Sequence, residues 1–146
     1  MKTPGPDHPL TFTDAPMRVR ARFQNHVVAD TASAVTLKEA DLDPVHYFPR
    51  GDVETGFMSQ TDKTYTCPYK GDATFYSMMI NGDLQENVAW SYESPYPAAE
   101  RIRGMIAFYP DRMEVYEVSE AETEARRADP LVEAWPAGRE ADAKRV

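Results

Sequence analysis

The sequence predicts an all-β domain, and three observations lead to that prediction. Residues 17–23 alternate between apolar and arginine side chains, which is the pattern of a half-buried strand. Asn81-Gly82 separates two apolar segments. This dipeptide favours the two-residue turn of a β-hairpin, because both residues tolerate a positive φ. Segments with helical patterning are few and short. We therefore expect seven to nine short strands in a β-tent-like pair of packed antiparallel sheets.

Strands are expected along most of the chain. Residues 24–25 form a turn that returns residues 26–30 onto the first strand. A third strand is expected at 34–37, although Thr36 and Glu39 also fit a capping box that would open a short helical turn. The remaining expected strands are 45–48, 55–60, 63–66, 73–80, 84–92, 105–109 and 113–118. The last two of these are expected to form a hairpin around a turn at 110–112.

The flanks of the domain have a different composition. Residues 1–16 hold four of the twelve prolines and are expected to form an N-terminal arm. Residues 17–118 form the predicted domain, with one short helix near 97–103 that has proline in its first turn and glycine just after its end. Residues 119–146 are expected to form a second helix, to about residue 128, followed by a C-terminal tail.

Composition limits the classes of function. The 146 residues carry a formal net charge of −8, which argues against nucleic-acid binding and against docking on anionic membranes, since both depend on basic side chains. We find neither a signal peptide nor an apolar stretch approaching the roughly 20 residues that span a bilayer. The expected compartment is the cytoplasm. The oligomeric state is left open.

Cysteine and histidine usage argues against a metal site. Cys67 is the only cysteine, so neither an intramolecular disulfide nor a cysteine-rich structural zinc site is expected. No spacing of Asp, Glu and His residues requires a metal ion. We therefore predict neither a metal nor a cofactor.

The segment at residues 67–71, Cys-Pro-Tyr-Lys-Gly, is the first candidate for a site. Cys67 either fills a small gap in the core or acts as a thiol activated by a nearby cation, for which Lys70 is the candidate. Lys70 stands at a bend that Gly71 permits, where its ammonium meets either an anionic ligand or a neighbouring carboxylate. Tyr69 adds a polar aromatic side chain to the same segment.

Aromatic residues on the predicted hairpin form the second candidate. Trp90 and Tyr92 share one face of their strand, and we expect Tyr76 to lie near them across the Asn81-Gly82 turn. Three such rings form either part of the core or a cage that stacks on a flat or cationic ligand. Arg50, between proline and glycine, is a second cation that the fold could bring to the same pocket.

The alternating arginines of residues 17–23 have a simpler interpretation. Arg18, Arg20 and Arg22 lie on one face of the first predicted strand. Because acidic residues are in excess, we expect this face to be solvated and salt-bridged.

Five segments resemble the family known as domain of unknown function 427. They are residues 28–31, 47–53, 66–71, 89–92 and 106–109. The family is similar to the β-tent superfamily, which includes methionine sulfoxide reductase B and the thalidomide-binding domain of cereblon, so the resemblance implies a β-tent fold. Many members of that superfamily hold zinc with two Cys-x-x-Cys pairs, which the single Cys67 cannot supply. The nucleotidyltransferase-like label attached to the family has no support from a phosphate-binding loop or paired aspartates in this sequence.

Three classes of function follow from these residues. The leading hypothesis is a domain that binds a small molecule in an aromatic and basic pocket. The expected pocket residues are Arg50, Cys67, Tyr69, Lys70, Tyr76, Trp90 and Tyr92. The alternatives are an enzyme that uses Cys67 or Lys70 in the same pocket, and a structural or interaction module in which the aromatic side chains are core.

Overall fold

The computed structural model describes residues 1–119, in which ten strands form three antiparallel sheets. The strands are β1 (Leu10–Asp14), β2 (Arg18–Phe23), β3 (His26–Thr31), β4 (Val35–Glu39), β5 (Val45–Tyr47), β6 (Met58–Cys67), β7 (Gly71–Ile80), β8 (Asp83–Ser91), β9 (Ile106–Phe108) and β10 (Glu114–Val118). Short 3-10 helices cover Arg50–Asp52, Thr55–Phe57 and Pro97–Ile102. The all-β class is confirmed, with three sheets where two were expected.

The central layer is the four-stranded sheet β6-β7-β8-β9. One of its faces packs on the sheet β10-β2-β3 through a core that includes Val19, Val28, Met78 and Phe108. The other face packs on the sheet β1-β4-β5 through a second core. Strand alternation explains the division, since neighbouring residues of β9 enter opposite cores.

The hairpin between β7 and β8 forms as predicted. Ile80 pairs with Asp83, and the two residues between them have positive φ values of 52° at Asn81 and 83° at Gly82. These are the backbone conformations that a two-residue turn requires and that Asn and Gly adopt most easily. The hairpin fixes which residues of β7 lie beside those of β8.

Other parts of the chain differ from the sequence predictions. Within the predicted N-terminal arm, β1 pairs with β4, so part of the arm belongs to a sheet. The strand expected at 34–37 forms as β4 over residues 35–39, and the alternative helical turn does not form. The predicted hairpin of 105–109 with 113–118 is wrong, because β9 pairs with β8 whereas β10 pairs with β2 in another sheet.

The helix near 97–103 forms as a 3-10 helix, with a kink at Ala99. The second predicted helix and the tail lie outside the described residues, apart from Ser119. In the part of the chain that the structure describes, no helix has the length and apolar character needed to cross a membrane.

The arginines of β2 are salt-bridged, but the expectation that they are all solvated is wrong. Arg20 and Arg22 are only 2% and 3% exposed. Arg20 pairs with Asp30, and Arg22 pairs with Glu114 at 2.9 Å. Burial of a guanidinium is tolerated when a carboxylate compensates its charge, and β2 is the central strand of its sheet with neighbours on both edges.

Candidate functional site

A cavity of about 370 Å³ opens between the β1-β4-β5 sheet and the central sheet. Its walls are mainly aromatic and aliphatic, with charged side chains at a few positions. The aromatic lining residues are Tyr47, Tyr65, Phe75, Trp90, Tyr92 and Tyr109. The charged lining residues are Glu39, Asp43, Lys63 and Lys70. Apolar walls with a few placed polar groups are typical of small-molecule sites.

Three of the residues singled out in the sequence lie around this cavity. Trp90 and Tyr92 share a face of β8 and its continuation, as strand alternation predicts, and Lys70 joins them from the bend before β7. The Lys70 ammonium lies 5.4 Å from the centre of the Tyr92 ring. Trp90 donates a hydrogen bond from its indole nitrogen to the Tyr47 hydroxyl at 3.1 Å. The structure therefore brings the three side chains together, while their role as ligand contacts stays a prediction.

The Lys70 bend is held by its contacts with residues 94–96. Gly71 has a φ of 109°, and a Cβ atom there would lie 3.2 Å from the Tyr96 amide nitrogen. The Tyr96 amide in turn donates a hydrogen bond to the Lys70 carbonyl at 2.9 Å. A residue with a side chain at position 71 would meet both backbone strain and a close contact. The bend thus fixes where Lys70 enters the cavity wall.

Lys70 is paired with a carboxylate inside the site. Its ammonium donates a short hydrogen bond to Glu39, which also contacts His8 Nε2 at 2.7 Å. Burial alone raises the pKa of Glu39, but the hydrogen bonds and charges of Lys70 and His8 outweigh it and hold that pKa below its ordinary value. The positive charge of Lys70 is therefore compensated by a side chain of the protein itself.

Three of the cavity tyrosines, Tyr47, Tyr92 and Tyr109, have a raised pKa and remain neutral phenols. Burial raises the pKa of Tyr47 and Tyr92 above the ordinary value for tyrosine, and burial together with the Asp111 charge raises that of Tyr109. A phenol whose ionised form is disfavoured acts as a hydrogen-bond donor or acceptor beside an aromatic face. These residues therefore offer stacking surfaces and not negative charge.

Lys63 reaches the cavity because β6 carries a bulge. Gln60 pairs with Tyr76 and Thr64 with Thr74, so three residues of β6 lie opposite the single residue Phe75. Such an insertion bends the strand and redirects side chains. The Lys63 ammonium lies 4.5 Å from the centre of the Phe75 ring and 5.9 Å from that of Tyr109.

A matching irregularity in β8 supports this bulge. Tyr76 pairs with Ala89 and Met78 with Gln85, so three residues of β8 lie opposite Ser77. Among them Asn87 has a φ of 50° and accepts a hydrogen bond from the Thr61 hydroxyl at 2.6 Å. Sequence reasoning missed Lys63. The one local signal was Asn87, a residue type that tolerates positive φ, inside an otherwise regular strand.

Tyr76 and Arg50 lie elsewhere, which corrects their expected place in the pocket. The hairpin pairs even-numbered residues of β7 with odd-numbered residues of β8, so Tyr76 shares its face with Ala89 and not with Trp90. Phe75 is the residue opposite Trp90. The expectation that Tyr76 joins Trp90 on one face is wrong.

On the face of the hairpin opposite to Trp90, Tyr76 belongs to a polar cluster whose members pair with one another. Arg50 lies 5.7 Å from the centre of the Tyr76 ring and pairs with Glu93 at 2.9 Å. The Tyr76 hydroxyl donates a short hydrogen bond to the same carboxylate. Arg50 also donates to Ser91 Oγ at 3.3 Å and to the Gly104 carbonyl at 3.1 Å. We refer to Arg50, Tyr76, Ser91 and Glu93 as the Arg50 cluster.

Cys67 and Tyr69 also lie outside the cavity lining. Cys67 is 4% exposed and belongs to the second core, which matches its interpretation as a core-filling residue. Tyr69 stacks on His8 with ring centres 4.0 Å apart. The structure therefore gives neither residue a surface in the cavity.

Within residues 1–119, no group of three or more His, Cys, Asp and Glu side chains is arranged to hold a metal ion.

Comparisons with known proteins identify the family. No match to a curated protein was found. A family model described as a domain of unknown function, DUF427, matches residues 11–119, which is most of the chain. The chain therefore belongs to the DUF427 family.

Proposed function

We propose that this protein binds a small planar aromatic molecule in the cavity between the β1-β4-β5 sheet and the central sheet. The observation that supports this proposal is the concentration of six aromatic side chains around a cavity of about 370 Å³. Pockets whose walls are mainly aromatic and apolar, with a few placed polar groups, are typical of small-molecule sites.

The arrangement of the rings favours a flat ligand. Trp90 and Tyr109 have their ring centres 4.6 Å apart, and Tyr47 meets Trp90 edge to face at 6.3 Å. A planar molecule can stack on one ring and meet another at its edge, which are the two geometries that aromatic pairs prefer. The hydrogen bond from Trp90 to Tyr47 fixes the indole in place, so the stacking surface is formed before a ligand arrives.

The enzyme alternative gains no contact in its favour. Cys67 is buried in the core and does not line the cavity, and Lys70 is paired with Glu39. A reactive thiol needs an accessible, electropositive surrounding. The binding function is therefore the one that we propose.

Naphthalene-1-acetamide is a suitable probe, because it is planar, aromatic and uncharged. In a ¹H–¹⁵N spectrum the Trp90 indole N–H reports directly on the cavity, and Trp135→Phe removes the only other indole signal. We expect this signal to shift on titration, with a Kd on the order of a millimolar or tighter for a molecule of this size.

The location is tested by filling the mouth of the cavity. Thr64 is an exposed lining residue of β6, so Thr64→Trp should fold and should weaken binding at least about tenfold by occupying the ligand space. Because the new tryptophan adds an indole signal, binding by this variant and by its control is measured by isothermal titration calorimetry. Ser59→Trp is the matched control, since Ser59 is exposed on the same strand and does not line the cavity. No shift of the Trp90 signal in the parent protein, or equal binding by Thr64→Trp, would overturn the proposal.

A further inference from the structure

Two lysines face the cavity, and they differ in how their charges are compensated. Lys70 pairs with Glu39. Lys63 forms no ion pair with any residue in 1–119, and its ammonium lies over the rings of Phe75 and Tyr109. From this difference we infer that Lys63 is the specificity-determining residue of the site, and that it selects a planar aromatic ligand carrying an anionic group. The inference rests on the proposed function and adds the charge of the ligand to it.

The same geometry disfavours an organic cation. The face of an aromatic ring is where a ligand cation would bind, but the Lys63 ammonium already occupies that position over Phe75. A second cation there would meet repulsion between like charges. The carboxylate of Glu39 is used by Lys70 and His8. The remaining acid of the lining, Asp43, is exposed to solvent, where its charge is screened.

A second space gives the anionic group somewhere to lie. Lys63 and Tyr109 also line a neighbouring groove of about 350 Å³. The other lining residues of this groove are Glu86, Asn87, Asp111 and Arg112. The aromatic body of the ligand would lie in the apolar cavity, with its anionic group at the junction beside Lys63. The carboxylates of Glu86 and Asp111 offset the positive charges of Lys63 and Arg112 in the groove. Selection of an anionic ligand therefore depends on the position of the Lys63 ammonium and not on a general positive field.

The bulge in β6 makes this position a property of the fold. It places three residues opposite Phe75, and the Thr61 hydroxyl anchors it to Asn87. The lysine stem is therefore held at the boundary between the two spaces. Without the bulge, β6 would be a regular edge strand. Its side chains, including that of the lysine, would then point alternately to the two faces of the sheet.

Three matched probes test the inference by isothermal titration calorimetry at low ionic strength. They are naphthalene-1-acetate, naphthalene-1-acetamide and naphthalene-1-ethylammonium, which share one aromatic body and differ in charge. We expect the acetate to bind about tenfold more tightly than the acetamide, as for a charge-assisted hydrogen bond at a partly exposed site, and the ammonium to bind most weakly.

Variants assign the preference to one side chain. Lys63→Gln should reduce the acetate-to-acetamide ratio to about one, and Lys63→Arg, which keeps the charge, should retain most of it. Lys38→Gln is the control, because Lys38 is an exposed lysine of β4 that does not line the cavity.

The outcomes separate the two proposals. Binding of the acetamide with no gain for the acetate would overturn the role of Lys63 and leave the aromatic cavity as the binding site. A preference that survives Lys63→Gln, or tighter binding of the ammonium than of the acetate, would also overturn it. If none of the three probes shifts the Trp90 indole signal, the proposed function itself fails.

Discussion

The two faces of the β7–β8 hairpin each place a cation against an aromatic ring, with different results. On one face Arg50 lies over Tyr76, and Glu93 accepts hydrogen bonds from both residues. On the other face Lys63 lies over Phe75 with no carboxylate partner in residues 1–119. The first arrangement satisfies its own charges and contributes to the fold. The second leaves the Lys63 charge without an ion pair in residues 1–119, beside the cavity where we propose that a ligand binds. A cation beside an aromatic ring therefore does not by itself define a site, and the two faces differ in whether a carboxylate pairs with the cation.

The largest expected effect tests whether the Arg50 cluster contributes to the fold. Tyr76 is 8% exposed and packs in the core beneath the β10-β2-β3 sheet. Tyr76→Ala should lower the free energy of unfolding by about 3–5 kcal/mol, because it removes a buried ring and leaves a cavity. Urea denaturation measures this loss. A loss below about 1.5 kcal/mol would mean that the cluster contributes little to stability.

Glu39 extends this comparison, because it forms an ion pair with Lys70, whereas Lys63 has no such partner in residues 1–119. Glu39→Gln should lower the free energy of unfolding at pH 7 by about 1–3 kcal/mol through loss of charged hydrogen bonds to Lys70 and His8. The pKa of Glu39 is lowered in the folded protein. Its stabilisation is thus fully present above the ordinary glutamate pKa and is lost as the pH falls through the lowered value.

The measurement for Glu39 is chemical denaturation across the acid range. The difference in stability between the parent and Glu39→Gln should narrow as the pH falls below about 4.3, the ordinary glutamate pKa. A difference in stability that stays constant at every pH would show that the negative charge of Glu39 does not stabilise the folded protein.

Glu93→Ala tests the carboxylate of the Arg50 cluster. The substitution leaves both Arg50 and the Tyr76 hydroxyl without their shared acceptor, and it should cost about 1–2 kcal/mol, reduced by the partial exposure of Glu93. A double-mutant cycle with Tyr76→Phe should give a coupling energy of at least about 0.5 kcal/mol. Additive effects would mean that the two side chains act independently.

The smallest expected effect concerns Lys63. It is exposed and forms no ion pair with the described part of the chain, so Lys63→Gln should change the free energy of unfolding by less than about 0.5 kcal/mol. Urea denaturation again measures the change. A loss comparable with that of Glu93→Ala would show that Lys63 is a structural residue and would remove the contrast between the two faces.

Local signals in the sequence were sufficient for several of these features. The Asn81-Gly82 turn followed from the φ preferences of two residues, and the shared face of Trp90 and Tyr92 followed from strand alternation. The all-β class followed from the same periodicity. The bend at Lys70 followed from the glycine that comes after it.

Features that depend on distant pairing could not be predicted in this way. β10 joins a different sheet from β9 because it pairs with β2, which lies far away in the chain. The burial of Arg20 and Arg22 depends on Asp30 and Glu114, which no local pattern links to them. Lys63 reaches the cavity only through a bulge whose anchor, Asn87, is on another strand. The position of Tyr76, in contrast, could have been predicted. A two-residue hairpin fixes which residues of its two strands share a face, and this information was present in the sequence.

The bulge in β6 inserts two residues beyond a regular pairing, since three residues face one. Because side chains along a strand alternate with a period of two, an insertion of two residues does not change the face to which the flanking residues point. Removing residues 61 and 62 would therefore restore regular pairing of β6 with β7 without turning the flanking side chains over. It would also remove the Thr61 hydrogen bond to Asn87 and alter the reach of Lys63. A deletion at this one point of the sheet would therefore change the reach of Lys63 while the register of the flanking residues is kept.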